Sequence, residues 1–337
     1  MILVTGGAGY IGSHTVLHLL KKGFDVVVVD NLINSSIESL VRVEKLANRP
    51  VSFEQVNLKD EIALNRVFEK YQVKSVIHFA GLKAVGESVM QPLSYYENNV
   101  SGSIRLLSCM SRHNVGELIF SSSATVYGDK VSPPYLESNQ TSNPSSPYGR
   151  SKLFVEQILS DWHKSLNKRT VTILRYFNPV GADKSGLIGE DPTGTPNNLM
   201  PFISQVAVGK LDKLDVFGGD YNTSDGTCER DYIHVSDLAH GHVAALTKAP
   251  RSSLNIYNLG SGQPVSVLAM IEAFSRVNKV SVPYEIVGRR PGDLPAFWAV
   301  PDKARRELGW SVRKSIDDMV RDAWLWQSKN PNGYKND

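Results

Sequence analysis

Residues 2–12 read ILVTGGAGYIG, and this stretch decides the fold. Its first three residues are aliphatic, which favours a buried strand, and the glycines after them predict a tight turn into a helix. Gly6, Gly9 and Gly12 would let backbone N–H groups approach a pyrophosphate and let the helix pack closely on the strand. The stretch therefore predicts the opening unit of a dinucleotide-binding α/β fold.

Asp30 supports the same interpretation and indicates which dinucleotide is bound. It follows the apolar run VVVV at residues 26–29, at the place where an acidic residue contacts the ribose hydroxyls of adenosine. A carboxylate there repels a 2′-phosphate, and residues 31–36 contain no Arg or Lys to hold one. The sequence therefore favours NAD over NADP.

The chain up to Asn178 alternates between short apolar runs and longer segments with helical spacing. The runs are residues 2–4, 26–29, 51–53, 76–79, 118–120 and 171–174, and the helical segments include 14–22, 62–71, 93–113 and 148–166. Short apolar runs of this kind are typical of parallel strands buried on both faces. The alternation predicts an α/β fold with a doubly wound parallel sheet of the Rossmann type.

Beyond Asn178 the pattern changes, because Gly, Pro, Asn and Asp cluster in residues 186–196 and 218–226. Long loops in a compact protein are usually functional. We therefore expect an NAD-binding Rossmann domain and a smaller C-terminal α/β domain that binds the substrate. Their predicted limits are residues 1–178, with a return segment at 231–260, and residues 179–337.

Composition excludes several classes of protein. The 337 residues are 41% hydrophobic, and 37 basic against 34 acidic residues leave a formal net charge of +3. Because the basic residues are scattered, neither nucleic-acid binding nor membrane-surface binding is expected. The two cysteines form no metal or disulfide spacing, and no apolar run approaches a membrane span. We expect a soluble cytoplasmic protein.

Three polar residues form a candidate catalytic group. Tyr148 and Lys152 are four residues apart on a predicted helix, so their side chains share a face, and Ser123 follows the strand that ends at Phe120. A tyrosine with a pKa near 10 is a poor base at neutral pH, but a neighbouring ammonium and an oxidised nicotinamide favour the phenolate. Ser123 could orient the reacting hydroxyl.

The histidines do not predict a metal site. His240 and His242 are two residues apart on a predicted helix, which places them on different faces. His78 lies in an otherwise apolar strand and is interpreted as a core histidine with satisfied hydrogen bonds. No metal is therefore expected.

Longer blocks carry a resemblance to a known family. With the glycine loop, Ser123 and the Tyr148–Lys152 pair, the chain resembles the extended short-chain dehydrogenase/reductases, and within them the UDP-glucose 4-epimerases. The blocks that carry this resemblance are HFAGLKAVGES (78–88), FSSSATVYG (120–128), RYFNPVG (175–181), NNLMP (197–201), RDYIHV (230–235) and GDLPA (292–296).

The resemblance implies a reaction that consumes no oxidant. In these epimerases a tyrosine takes the proton of the sugar 4-hydroxyl, NAD takes the C4 hydride, and the 4-keto sugar turns before hydride returns to its other face. The resemblance makes Tyr148 the acid and base. It implies that Lys152 lowers the pKa of Tyr148 and holds the nicotinamide ribose, and that Ser123 assists. It implies NAD contacts at Gly6, Gly9, Tyr10, Ile11, Gly12, Asp30, Asn31, Asn34, Ser35, Asn57, Leu58, Phe79, Ala80, Gly81, Lys83, Asn98, Ser123, Tyr148, Lys152 and Phe177.

Three places depart from the family pattern, and one of them is Cys228–Glu229, where a small or apolar pair is expected. Asn57 replaces an aspartate that contacts the adenine amino group, so this contact would lack a charge. Phe297 stands where some epimerases have tyrosine and others a small residue that admits N-acetylated sugars. Because phenylalanine keeps the bulk, we expect UDP-glucose and UDP-galactose as substrates, with poor use of the N-acetyl forms.

A sugar that presents both faces to one nicotinamide cannot be gripped tightly, so binding energy must come from a remote part such as a nucleotide diphosphate. Arginine is suited to phosphate oxygens, and a carboxylate at Glu229 would weaken such a site unless it points away. By resemblance, the substrate-binding residues are Lys83, Ser123, Tyr148, Asn178, Asn198, Leu199, Asp215, Val216, Phe217, Arg230, Arg290, Asp293 and Phe297.

Two other functions remain open at this point. A nucleotide-sugar 4,6-dehydratase needs an acid/base carboxylate pair directly after the serine strand, where this chain has Ala124 and Thr125. A non-catalytic binder of NAD or UDP-sugar would typically lack the tyrosine or the lysine, and both are present. The family is usually a homodimer, and the resemblance implies a four-helix bundle formed by segments 93–113 and 148–166.

Overall fold

The computed structural model describes residues 1–166, 168–192, 196, 198–290 and 292–335. In chain order its strands are β1 Ile2–Thr5, β2 Val26–Asp30, β3 Ser52–Gln55, β4 Ser75–His78, β5 Glu117–Ser123, β6 Thr170–Tyr176, β7 Asn178–Val180, β8 Leu214–Phe217, β9 Glu229–His234, β10 Leu254–Leu259, β11 Pro264–Ser266, β12 Tyr284–Val287 and β13 Ala296–Phe297. Its helices are α1 Tyr10–Lys21, α2 Ile37–Ala47, α3 Glu61–Lys70, α4 Val85–Met90, α5 Pro92–Tyr95, α6 Gly102–Arg112, α7 Pro147–Lys164, α8 Leu199–Ala207, α9 Val235–Lys248, α10 Val267–Asn278, α11 Asp302–Leu308 and α12 Ile316–Lys329.

Seven parallel strands form the central sheet, in the order β10-β6-β5-β4-β1-β2-β3. All six strands predicted before Asn178 are present, and the doubly wound sheet is confirmed. The order reverses beside β1, since β2 lies on one side of it and β4 on the other. Ligands of such sheets bind in the crevice at this reversal, beyond the carboxyl ends of the strands.

Aliphatic side chains bury the sheet on both faces. Leu3, Val28 and Ile77 are wholly buried, and burial of each such side chain stabilises the fold by about 1.5–3 kcal/mol. Helix α1 packs against α2 and α9 on one face, and α3 packs against α6 on the other. This packing explains the continuous apolar runs in the strands.

The remaining strands form two small sheets beside the central one. Strand β9 pairs with β7, β11 and β13, and β8 pairs with β12. Strand β10 pairs with β6 and so lies in the central sheet, although β8 and β9, which precede it in the chain, lie in the small sheets. The long loops and the small sheets bring the second half of the chain to the carboxyl edge of the central strands.

One predicted helix is divided in the structure. Segment 93–113 was expected as a single helix, but it forms α5, a π-helical turn at Tyr96–Ser101 and then α6. The wider turn carries Asn99, whose side chain is buried and bonded to the loop after β4. Turns of this type are common at functional sites.

Within the described part of the chain, no helix combines the length and the apolar character that crossing a membrane requires.

Helix α7 begins where the sequence indicates, because Pro147 occupies its first position and the Ser146 hydroxyl accepts a hydrogen bond from Gly149 N at 3.1 Å. A serine cap of this kind is worth about 1 kcal/mol. This start places Tyr148 in the first turn of α7.

Candidate active site

The predicted cofactor-binding residues follow the carboxyl ends of the first six strands of the central sheet. They are Gly6, Gly9, Tyr10, Ile11 and Gly12 after β1, Asp30, Asn31, Asn34 and Ser35 at or after β2, Asn57 and Leu58 after β3, Phe79, Ala80, Gly81 and Lys83 after β4, Ser123 at β5 and Phe177 after β6. Asn98 lies in the π-helical turn, and Tyr148 and Lys152 lie in α7. The sheet therefore brings residues from most of the first half of the chain to one edge.

The glycine loop has no room for larger residues. A Cβ on Gly12 would lie 2.2 Å from the carbonyl oxygen of Gly6, and a Cβ on Gly6 would lie 2.6 Å from Ala80 N. Gly6 also has a φ of +70°, which favours glycine. The loop therefore holds its backbone N–H groups close to the start of α1, as an anion-binding turn requires.

Asp30 is buried and tied to this loop. One carboxylate oxygen accepts a hydrogen bond from Ala8 N at 3.1 Å, and the other accepts from Leu32 N at 3.0 Å and from the Ser35 hydroxyl at 2.9 Å. These bonds fix the carboxylate at the end of β2. One acceptor site remains, on the oxygen that accepts from Ala8 N, for a hydroxyl of a ribose.

The loop after β4 is held from both sides. Thr5 O accepts hydrogen bonds from Phe79 N at 3.0 Å and Ala80 N at 3.2 Å. On the other side, Asn99 accepts from Leu82 N at 2.8 Å and donates to Leu82 O at 3.0 Å. Sequence reasoning did not identify Asn99, because its role depends on a backbone segment that is distant in the chain.

Ser123, Tyr148 and Lys152 lie together beside this loop. The Lys152 ammonium is buried, donates to Ser121 O at 2.8 Å and lies 6.0 Å from the centre of the Tyr148 ring. A Cβ built on Gly81 would be 3.8 Å from it. Ser123 hydrogen-bonds the Tyr148 phenol, so the three predicted catalytic side chains lie near one another at the carboxyl end of β5.

The electrostatics differ in one respect from the sequence-based expectation. Burial raises the pKa of the Tyr148 phenol, and a hydrogen bond with Ser123 opposes this effect. Burial lowers the pKa of Lys152 to about 8, with Glu156 opposing. The Lys152 ammonium is directed to Ser121 O and lies 6.0 Å from the centre of the Tyr148 ring. Formation of the phenolate therefore requires a further positive charge.

A buried ion pair supports the catalytic helix. Glu156 in α7 accepts hydrogen bonds from Arg175 at 2.6 and 3.0 Å and from the Ser122 hydroxyl at 2.5 Å. Both charged side chains are about 5% exposed or less. Removal of one partner would leave an uncompensated buried charge, which costs about 3–5 kcal/mol. Arg175 belongs to the family block at 175–181, but its pairing with Glu156 has no signal in the sequence.

The predicted substrate residues come from the second half of the chain. They are Asn178 at the start of β7, Asn198 and Leu199 at the start of α8, Asp215, Val216 and Phe217 in β8, Arg230 in β9, Arg290 and Asp293 after β12, and Phe297 in β13.

Several of these residues are in contact with one another. Arg290 donates to both carboxylate oxygens of Asp293, at 2.8 and 3.1 Å, and its guanidinium lies 5.5 Å from the centre of the Phe217 ring. Arg230 lies 3.6 Å from the same carboxylate and donates to Leu294 O at 2.8 Å. Two cations, one carboxylate and an aromatic ring thus form one cluster, which suits a nucleotide diphosphate.

Glu229 does not face this cluster. Its carboxylate accepts a hydrogen bond from the Ser224 hydroxyl at 3.0 Å. This contact agrees with the expectation that the carboxylate points away from the phosphate-binding arginine.

Phe297 forms part of an aromatic wall. Its ring centre lies 5.1 Å from that of Phe177 and 4.7 Å from that of Tyr135, which is fully buried. Tyr135 was not singled out in the sequence. The wall fixes the bulk of Phe297 beside the end of β6.

Three predicted contacts cannot be made as freely as the sequence implies. Leu58 and Val216 are buried in the hydrophobic core, so only their backbones can reach a ligand. The Asn57 side-chain oxygen already accepts a hydrogen bond from Lys59 N at 3.0 Å. A carbonyl oxygen has two lone pairs, so a second donor can still be accommodated.

Comparison with known proteins decides among the open functions. The profile of the family described as GDP-mannose 4,6 dehydratase matches residues 3–323. The UDP-glucose 4-epimerase of Yersinia enterocolitica is 56% identical over 333 residues, which is 99% of this chain and 99% of that protein. The chain belongs to the UDP-glucose 4-epimerase family. It is thereby also a member of the extended short-chain dehydrogenase/reductases.

Solved epimerase structures agree with this assignment. The enzyme of Bifidobacterium longum, in complex with NAD+ and UDP, has a TM-score of 0.96 and 51% identity, and the match covers 98% of this chain and 99% of that one. The enzyme of Stenotrophomonas maltophila, with bound NAD and formylated UDP-arabinopyranose, has a TM-score of 0.95 and 47% identity, with 98% of each chain covered.

The residues of this chain fit NAD and fit epimerisation better than dehydration. The glycine cradle and the fixed Asp30 carboxylate suit a dinucleotide without a 2′-phosphate. Directly after Ser123 the chain has Ala124 and Thr125, and the Thr125 hydroxyl donates to Ser123 at 3.0 Å. Neither residue is an acid, so the carboxylate pair that elimination of water needs is missing at these two positions.

Proposed function

We propose that this chain interconverts UDP-galactose and UDP-glucose by reversing the configuration at C4 through a transient 4-keto sugar. The observation that carries the proposal is that Ser123, Tyr148 and Lys152 lie together beside the loop after β4, within a chain of the epimerase family. When bound, NAD supplies the hydride acceptor that is restored in the same cycle.

Tyr148 exchanges a proton with the sugar 4-hydroxyl in both directions. Because burial favours its neutral phenol, positive charge beside the residue is needed to stabilise the phenolate. The nearby Lys152 ammonium and the positive charge of an oxidised nicotinamide together favour the phenolate. Ser123 orients the hydroxyl oxygen, as its contact with Tyr148 allows.

The substrate is held by its nucleotide and diphosphate rather than by its sugar. Arg230 and Arg290 bind phosphate oxygens, Phe217 lies against uracil, and Asp293 contacts the ribose. Asn178 and Asn198 contribute amide contacts to the diphosphate and the sugar. Binding energy from this non-reacting part leaves the hexose free to turn.

The aromatic wall sets the choice of sugar. Phe297 packs against Tyr135 and Phe177, so its ring cannot move aside without disturbing buried neighbours. An N-acetyl group therefore meets a fixed ring, and UDP-glucose and UDP-galactose are the preferred substrates.

The assembly is a homodimer in which α5, α6 and α7 pair with the same helices of a second copy. These helices expose apolar side chains, and Leu93 is 80%, Ile104 46% and Phe154 41% exposed. A shallow groove between the helices is lined by Leu93, Tyr96, Val100 and Phe154. Light scattering should give twice the mass of the chain, and Leu93→Asp combined with Phe154→Asp should give a monomer.

Two further assignments belong to this proposal. The chain divides into an NAD-binding domain, 1–178 with a return segment at 231–260, and a UDP-sugar-binding domain, 179–337; strand β10 in the central sheet supports the return segment. The compartment is the cytoplasm, because Cys109 and Cys228 are buried unpaired thiols, which suits a reducing environment.

The test uses purified protein and UDP-galactose with no added NAD, and follows UDP-glucose by proton NMR. We expect product, and Tyr148→Phe should lower the rate by about 10²–10⁴-fold, the usual contribution of a general acid or base. If neither added NAD nor a long incubation gives product, the proposed function is wrong.

A further inference from the structure

Glu190 lies where the proposed cofactor-binding and substrate-binding residues meet. Its Oε1 accepts hydrogen bonds from Lys83 Nζ at 2.8 Å and from Asn198 Nδ2 at 3.2 Å. Lys83 follows β4, whereas Asn198 precedes α8, so one carboxylate oxygen joins two distant segments of the chain. The Glu190 side chain is only 9% exposed, although that of Lys83 is 55% exposed.

A third site residue lies beside the same carboxylate. Burial, followed by the charge of Glu190 and by Tyr334, raises the pKa of the Tyr10 phenol. Tyr10 donates its hydroxyl to Gly181 O at 2.6 Å, so its position in the site is fixed. Glu190 is therefore bonded to Lys83 and Asn198, and its charge acts on Tyr10, three residues that the family resemblance places at the ligands.

The C-terminal segment, residues 326–334, holds the backbone around Glu190. Trp326 Nε1 donates to Glu190 O at 3.1 Å. The Tyr334 hydroxyl accepts from Gly189 N at 3.1 Å, and Tyr334 N donates to the Asp191 carboxylate at 2.9 Å. Residues 189–191 are thus each bonded to the C-terminal segment.

We propose that Glu190 is a positioning residue, which sets the Lys83 ammonium and the Asn198 amide relative to each other, and that the C-terminal segment holds it in place. The inference rests on the proposed function, in which both partners contact the ligands. A free lysine side chain loses much rotamer entropy when a ligand immobilises it. Because Glu190 orders both donors beforehand, the substrate need not meet this cost.

Steady-state kinetics with UDP-galactose test the proposal. Glu190→Ala should raise KM about tenfold, as expected for a lost hydrogen bond to a charged group, while kcat stays within about threefold of wild type. Glu190→Gln should give an intermediate KM, because its carbonyl oxygen can still accept from both donors. An unchanged KM, or a fall in kcat alone, would overturn the proposal.

A double-mutant cycle distinguishes positioning from a general loss of stability. Asn198→Ala should raise KM in the wild-type background. It should add little in the Glu190→Ala background, because the Glu190–Asn198 hydrogen bond that positions the amide is already lost. If the two effects multiply fully, Glu190 does not act through Asn198 and the proposal is wrong.

A remote variant tests the C-terminal segment and remains informative if Glu190→Ala fails to fold. Tyr334→Phe removes only the hydroxyl that bonds Gly189, and KM should rise about two- to threefold with kcat unchanged. Tyr71→Phe is the matched control, since its hydroxyl bonds Glu54 instead, and KM should not change. An unchanged KM in Tyr334→Phe would refute the role of the C-terminal segment.

The proposed function and this inference can fail separately. If wild-type protein does not convert UDP-galactose, the proposed function is wrong, and calorimetric binding of UDP then tests Glu190. The UDP dissociation constant of Glu190→Ala should be about tenfold larger than that of wild type. Equal constants would overturn the inference whatever the activity.

Discussion

Acidification should destabilise this protein because several histidines are buried in their neutral form. Burial lowers the pKa of His14 and His242 to about 4 and that of His18 and His78 to about 3. His78 shows why the neutral form fits. Thr5 and Ser103 lie 2.7 and 2.8 Å from its two ring nitrogens. The Ser103 hydroxyl donates to Asn99 O and therefore accepts from Nε2–H, which leaves Nδ1 to accept from Thr5.

The sign and size of the effect follow from these pKa values. Below pH 6.5 the unfolded chain binds protons that the folded chain excludes, so stability falls as the pH falls toward 4. At pH 5 each of the four histidines costs about 2 kcal/mol relative to pH 7.5, or about 8 kcal/mol together. That sum is comparable with the whole free energy of unfolding of a typical domain, about 5–15 kcal/mol.

Urea unfolding at pH 7.5 and pH 5.0, with saturating NAD at both, measures this loss. His242→Phe is the decisive variant, because its Nε2 has no hydrogen-bond partner in the described chain and phenylalanine keeps much of the ring volume. The difference in stability between the two pH values should shrink by about 2 kcal/mol. A His242→Phe difference equal to that of wild type would refute the reasoning.

Three further predictions concern the ligands. Asn57→Asp restores a charge beside the expected adenine contact and should increase the fraction of NAD that survives gel filtration; equal retention would show that this position does not limit affinity. Arg290→Ala should raise KM for UDP-galactose about tenfold or more with little change in kcat, whereas the exposed control Arg305→Ala should change neither value. Phe297→Ala should raise kcat/KM for UDP-GlcNAc at least about tenfold, and an unaltered ratio of UDP-GlcNAc to UDP-glucose turnover would contradict the role of the aromatic wall.

The parts of the fold that sequence predicts best are those whose signals are local. Residues 2–12 contain a strand, a turn and the start of a helix in one stretch, and the runs at 2–4, 26–29 and 118–120 contain no polar residue. The short strands β7, β11 and β13 have two or three residues each. Runs of that length are too short to show the alternation of a strand. They are strands because they pair with β9, and the local sequence does not predict them.

The catalytic residues were predictable for a related reason. Ser123, Tyr148 and Lys152 are recognised by spacing and by position at a strand end or a helix start, which the sequence displays. Glu156 and Glu190 have no such signal, since each looks like an ordinary acidic residue of a helix or loop. Their roles arise because Arg175 and Lys83, which are distant in the chain, face them in the folded protein.

The distribution of these buried contacts also bears on how the proposed reaction is possible. Ser123 and Lys152 are each less than a tenth exposed, and their helix and strand are joined by the buried hydrogen bond from the Ser122 hydroxyl to Glu156. Arg290, by contrast, is 54% exposed and pairs with Asp293 only three residues away. The neighbours of the base Tyr148 are therefore held in place, whereas the phosphate-binding Arg290 can adapt its position. That arrangement suits epimerisation, because the base must meet the same oxygen before and after the sugar turns, while the anchor only has to keep the nucleotide from leaving.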